Sequence, residues 1–245
     1  MTPEERDRIE RQALEFFSDL YASQGDRTLA AIGDGSASDA ELLARINELY
    51  ATEAQRGASA YAGFWRAVMV AVAFQSLTGE GVGADNPALN DDGSGISPQL
   101  NDALERYLAE MARLFGNRYS ENSLRLTFEA IEQWRTNGGT VGDLRDIMNP
   151  IWEGSRPITA SIHETTRIVN LGQNTAWGEA GFWGYNVRTR NDSQVRPEHQ
   201  AIADAGPYPM SDREHVPPFD GLFGDLGLII GCRCITSPVV EPPNG

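Results

Sequence analysis

Apolar positions recur at three- and four-residue intervals through most of the first 155 residues, the spacing of an amphipathic helix. Ile9, Leu14, Phe16, Phe17 and Leu20 make one face of a helix expected at 3–24, with Thr2 as its cap and Pro3, Glu4 and Glu5 in its first turn. A GDGSASD loop separates it from a second helix expected at about 39–57. Residues 60–77, AYAGFWRAVMVAVAFQSL, are the most apolar run of the chain. They are short for a membrane span and are interrupted by Arg66 and Gln75, so a buried helix is expected there. Thr78 to Ser97 is rich in Gly, Asp and Asn and reads as a linker. Further helices are expected at about 98–116, 120–136 and 140–149, with Asn137-Gly138-Gly139 as a break.

The pattern changes after Gly154-Ser155. Pro157 suits the first turn of a long helix with Ile158, Ile162, Val169 and Ala176 near one stripe, which Gly178 and Gly181 weaken and end. Glu164 and Arg167 lie three apart and can pair on one face. Phe182 to Arg190 alternates and predicts a strand, and Asn191-Asp192-Ser193 a turn. Pro207, Pro209, Pro217 and Pro218 keep the stretch from His199 to Cys234 out of helix and central strand, so a long loop is expected. Such a loop needs fixing. Zinc, packing of Phe219, Leu222, Phe223 and Leu226, or docking onto another subunit would each do so.

Composition narrows the function classes. The formal charge is −15, every one of the 20 basic residues is arginine, and no basic stripe with interleaved aromatics is present. A surface of this sign repels phosphate and argues against strong duplex DNA binding. The first residues, MTPEERDRIERQ, lack the apolar core of a signal peptide. Two cysteines one residue apart do not make a disulfide framework, and a reducing cytoplasm is expected. GEGVGAD lacks the Lys and Ser/Thr of a phosphate loop, and DNPALNDDGSG lacks the final glutamate of a calcium loop. No Gly-x-Ser-x-Gly elbow or catalytic carboxylate pair is present, and no enzymatic role is expected.

All three histidines and both cysteines fall between Pro157 and Cys234. HETTRIVNLGQNTAWGEAG, then RTRNDSQVRPEHQAIADAG, then PPF and a closing GCRC together resemble the MuF-like phage head morphogenesis family over the last third of the chain. Two positions depart from that pattern: His163 stands where Thr is more usual, and Asp220 where a His is usual. The resemblance implies a structural motif of Glu164, Arg167, Asn170, Asp192, Arg196 and His199. It also implies a minor head protein of a tailed phage or phage-like particle, made in the host cytoplasm and carried in the virion. Such a protein acts in head morphogenesis, with a part in DNA packaging or ejection, and is present in multiple copies. The implied partners are the portal protein and the major capsid protein, with no membrane.

Two sets of side chains carry alternative readings. His199, His215, Cys232 and Cys234, with Asp192 or Asp220, could bind zinc, which accepts mixed imidazole and thiolate ligands. Otherwise the cysteines are small buried apolar groups and His199 a turn residue, with no cofactor. Glu164 could act with His199 as an acid–base pair, or could be held by Arg196 in an ion pair that pins the turn to the helix. The expected architecture is mainly α: a helical region over 1–155, with a linker near 78–97, and a small α+β module over 156–245. A zinc-dependent hydrolase or nuclease carried in the head, and a helical adaptor unconnected with phage, are the competing functions.

Overall fold

The computed structural model describes residues 1–189, 195–219 and 231–243. In chain order the described elements are α1 (Pro3–Ile32), α2 (Asp39–Gly79), α3 (Pro98–Asn137), α4 (Val141–Glu153), α5 (Ser155–Glu179), β1 (Gly184–Arg188), α6 (Pro197–Ala205), β2 (Tyr208–Pro209) and β3 (Ile235–Val239). The fold is mainly α with a small α+β module near the C-terminal end, as the patterning predicts.

The helices are longer and fewer than expected. Residues 39–57 and 60–77 join into α2, and 98–116 and 120–136 join into α3. Glycine weakens a helix by about 1 kcal/mol, but here two glycines are what packing demands. A Cβ on Gly116 would lie 2.2 Å from the carbonyl oxygen of Ala54, and one on Gly57 would lie 2.7 Å from the Tyr119 ring. Gly116→Ala is therefore expected to destabilise by ~1–3 kcal/mol, the overpacking cost outweighing the gain in helix propensity. Gly63→Ala, with open space around the new methyl, should instead stabilise by ~0.5–1 kcal/mol. Thermal melts of the two variants shifting the same way would contradict this reading.

The chain forms two compact units. One comprises Leu14–Phe64 and Leu108–Ala160; the other gathers Met1–Ala13, Trp65–Tyr107 and Ser161–Gly245. Helices α1, α2 and α3 each contribute a stretch to either unit.

In the unit of Leu14–Phe64 and Leu108–Ala160 the core is aromatic. Phe115 stacks on Tyr61 at 4.9 Å and lies 5.5 Å from Phe17 and 5.6 Å from Tyr119. Glu53 is fully buried, and Arg27 donates to both its oxygens at 2.9 Å while Arg56 donates to one of them. Helix α4 starts at a capping box between Thr140 and Asp143.

The other unit holds α5 from Ser161 onward and the small sheet. Trp65, Met69, Val72 and Leu77 of α2 are buried with Ile168, Val169 and Trp177 of α5. Gly172 lets the two helices close up, since a Cβ there would stand 3.3 Å from the Met69 carbonyl oxygen. Among the described residues α2 is the one helix long and apolar enough to cross a membrane, with a mean hydropathy of 1.3 over 18 residues. The segment expected as a linker is an ordered loop. Leu89 bridges Ile96, Ala88 and Leu89 are buried, and the Asn86 amide donates to the Ala180 carbonyl at 3.2 Å.

The sheet has the order β2-β1-β3, all antiparallel. Its strand β1 ends at Arg188, and β3 was not foreseen. Pro238 inside β3 is tolerated because the strand is at the edge, where a missing N–H spoils no ladder bond. The long loop expected from His199 is likewise interrupted by α6 and β2. Proline opens α6 at its first position, where it suits a helix start.

Candidate metal centre and its polar support

Helix α5 is unusual in composition for its position. Residues 163–170 are all buried, yet His163, Glu164, Thr165, Thr166, Arg167 and Asn170 are polar. Polar groups in such a place must find partners or cost free energy. Arg167 donates to both oxygens of Glu164, at 2.5 Å to Oε2, and to His163 Nε2 at 2.7 Å. Arginine has no acceptor, so that histidine nitrogen is unprotonated. The sequence spacing thus meets in an ion pair, but a buried one. Arg196, expected against Glu164, is half-buried at the N-cap of α6, and its charge acts on Cys234.

The remaining polar residues of α5 reach the end of the chain. Thr166, Asn170 and Asn174 are four apart and share one face. Thr166 Oγ1 donates to the Cys232 carbonyl at 2.5 Å. Asn170 Nδ2 donates to the Cys234 carbonyl at 3.0 Å, and its Oδ1 accepts from the Thr236 N–H at 2.8 Å. The Asn170 amide therefore acts toward the edge of β3 as a neighbouring strand would. Asn174 Nδ2 donates to Thr236 Oγ1 at 3.2 Å. From α1, Arg6 Nη1 donates to the Arg233 carbonyl at 2.8 Å and Nη2 to Thr166 Oγ1 at 2.6 Å. All three carbonyls of Cys232-Arg233-Cys234 are held. Arg233 itself turns to Glu10, with Nη2 to Oε1 at 2.6 Å.

Side chains two apart along an extended backbone share a side, so with Arg233 committed to Glu10 the two cysteines meet His199. The three residues are 2%, 4% and 2% exposed for Cys232, Cys234 and His199, and both cysteines are free thiols. Their ligand atoms lie within 4.8 Å of one another, and Cys234 Sγ is 3.6 Å from His199 Nδ1. Phe219 covers the imidazole edge-on at 4.8 Å between centroids and is itself fully buried. Its backbone sits at φ 71°, a costly conformation for an aromatic that its burial among Tyr185, Val187, Ile202 and the cysteines offsets. The thiols act on each other. Cys232 is pulled well below the ordinary thiol range by the hydrogen bond it accepts from Cys234 and then by His199, while Cys234 is pushed up by donating it.

His215 is not brought into this group. Its Nδ1 is 2.8 Å from Asp212 Oδ2, and its ring stacks on Tyr208 at 4.2 Å. Tyr208 donates to the Ile202 carbonyl and Tyr185 to that of Asp212, so His215 locks the loop around β2. Asp192 and Asp220, and Leu222, Phe223 and Leu226, lie outside the described residues.

Compared with family models, curated proteins and solved structures, the chain matches none of them. The geometry of the site therefore stands by itself. Thr166, Arg6 and Thr236 were missed in the sequence. The four-residue recurrence of Thr166, Asn170 and Asn174 was the available signal for the first; Arg6 and Thr236 had none, being distant in the chain.

Proposed function

We propose that the protein is a minor head component of a tailed phage or phage-like particle, associated with the portal or the major capsid protein, acting in head morphogenesis and packaged in several copies. The observation that carries this reading is the interlock of the motif's separated parts. The α5 residues, the His199 turn and the closing Cys-Arg-Cys form one buried, hydrogen-bonded module. In such a module the motif residues serve to build a fold, which suits a structural protein. Glu164 is engaged by Arg167 in a buried ion pair, a structural use of its carboxylate. Burial of the His/Cys/Cys group also weighs against a hydrolase or nuclease, whose metal must meet substrate.

The test is co-expression of tagged protein with the portal and capsid proteins of its own particle. Portal or capsid should be retained on the tag, and the chain should appear in purified particles. Duplex DNA should not be retained at physiological salt. Recovery free of any particle protein would favour the adaptor reading, and tight, salt-sensitive duplex binding would overturn the expectation drawn from the net charge of −15.

A further inference from the structure

We propose that His199, Cys232 and Cys234 form a zinc site that ties α6 to the stretch leading into β3. The inference rests on geometry and does not depend on the particle role.

The donor set is right for a borderline-soft divalent ion: one imidazole nitrogen and two thiol sulfurs. With Zn–S about 2.3 Å and Zn–N about 2.0–2.1 Å, a tetrahedral ion separates a sulfur from a nitrogen ligand by about 3.6 Å. Cys234 Sγ and His199 Nδ1 are 3.6 Å apart, and all three ligand atoms lie within 4.8 Å. Side-chain shifts of the order of 1 Å close the remaining pairs onto a metal. Among the described residues no fourth side chain joins the group, so these three residues supply three corners of the tetrahedron.

The surroundings are those of a prepared site. Ligand-bearing segments that must hold a metal are fixed by neighbours one shell out. Here the carbonyls of Cys232, Arg233 and Cys234 are each held by a side chain: Thr166, Arg6 and Asn170. The bonds from Thr166 and Asn170 set the direction of the cysteine pair before any ion arrives. Phe219 closes the imidazole off from water. Apolar packing alone needs neither the paired thiols on one side nor three backbone anchors. On binding, the thiols lose their protons to solvent, and two Zn–S bonds and one Zn–N bond replace the contact between Cys234 Sγ and His199 Nδ1. No electrons are exchanged.

The full chain, expressed with zinc and purified under reducing conditions without chelator, should carry about one zinc per chain by elemental analysis. Cys234→Ser, Cys232→Ser and His199→Ala should each lower that to below about a tenth, and His215→Ala should retain it. Because the three ligand variants alter a buried cluster, the wild-type chain is also tested directly. Its two cysteines are the only thiols present, so a thiol reagent should release zinc to an indicator in step with the modification of both. Cobalt(II) added to metal-stripped protein should give the thiolate charge-transfer and tetrahedral d–d bands. A folded wild-type chain that takes up no zinc from excess, or zinc that remains bound after both thiols are blocked, overturns the proposal.

Discussion

Replacing Glu164 by alanine is expected to destabilise the unit that contains α5 by ~3–5 kcal/mol, the cost of removing one partner from a buried ion pair. Glu164 is 5% exposed and Arg167 is 8% exposed. Without the carboxylate, the guanidinium stays in a site that water does not reach, beside a histidine nitrogen that accepts but carries no negative charge. A surface pair at the same helical spacing would contribute only ~0.3–0.5 kcal/mol, so the magnitude itself reports burial. Glu164→Gln keeps an acceptor for Arg167 and should lose less than the alanine variant. A melting temperature for Glu164→Ala equal to that of the wild type would show that the pair is hydrated and that the helix is less enclosed than described.

Asn170→Ala should be damaging for a different reason, with an expected loss of ~2–5 kcal/mol. The substitution strands the Cys234 carbonyl and the Thr236 N–H, which Asn170 bonds at 3.0 and 2.8 Å in a buried place. Each orphaned buried group costs ~1–3 kcal/mol, more than a lost exposed hydrogen bond. Asn170→Asp separates the two halves of the arrangement. It preserves the acceptor for Thr236 and turns a repelling oxygen toward the Cys234 carbonyl. Amide exchange reads the result: the Thr236 N–H should lose protection in Asn170→Ala and keep more of it in Asn170→Asp. Equal protection of Thr236 in wild type and Asn170→Ala would rule out the strand-like role of this side chain.

On the proposed reading, these two residues would serve an assembly protein by holding the module together. A motif made of Glu164, Arg167, Asn170 and the Cys-Arg-Cys segment uses its polar side chains inward, on its own backbone. On the proposed reading, recognition of a portal or capsid partner then belongs to other surfaces of the chain, and variants that melt the module should abolish co-purification indirectly. Gly63→Ala, placed in open space, should leave it unchanged.

Much of the helical content was legible because it is a local property. Apolar residues at intervals of three and four mark a buried face whatever lies opposite, and Pro3, Thr140 and Pro157 act through their immediate neighbours. The Glu164–Arg167 pair was legible for the same reason, since helical spacing alone brings the two within reach. What local rules misjudged were the helix breaks. The helix ends expected at about 57 and 116 fall on Gly57 and Gly116, where a propensity cost of about 1 kcal/mol is outweighed by the close approach that glycine permits. The Gly- and Asp-rich stretch at 78–97 read as a linker for a similar reason, because its order depends on Asn86 reaching Ala180 and on burial of Leu89. Strand β3 escaped because a proline-bearing strand is acceptable only at an edge, and edges are decided by tertiary topology. The same holds for the site. The sequence named His199, His215, Cys232 and Cys234 as equivalent candidates by residue type. Folding separated them: contacts spanning 33 to 35 residues brought His199 to the cysteines, while Asp212 and Tyr208 claimed His215. Residue type determines which ligands are chemically possible. Only the path of the backbone, fixed here by side chains of α1 and α5 on the Cys-Arg-Cys carbonyls, decides which of them meet.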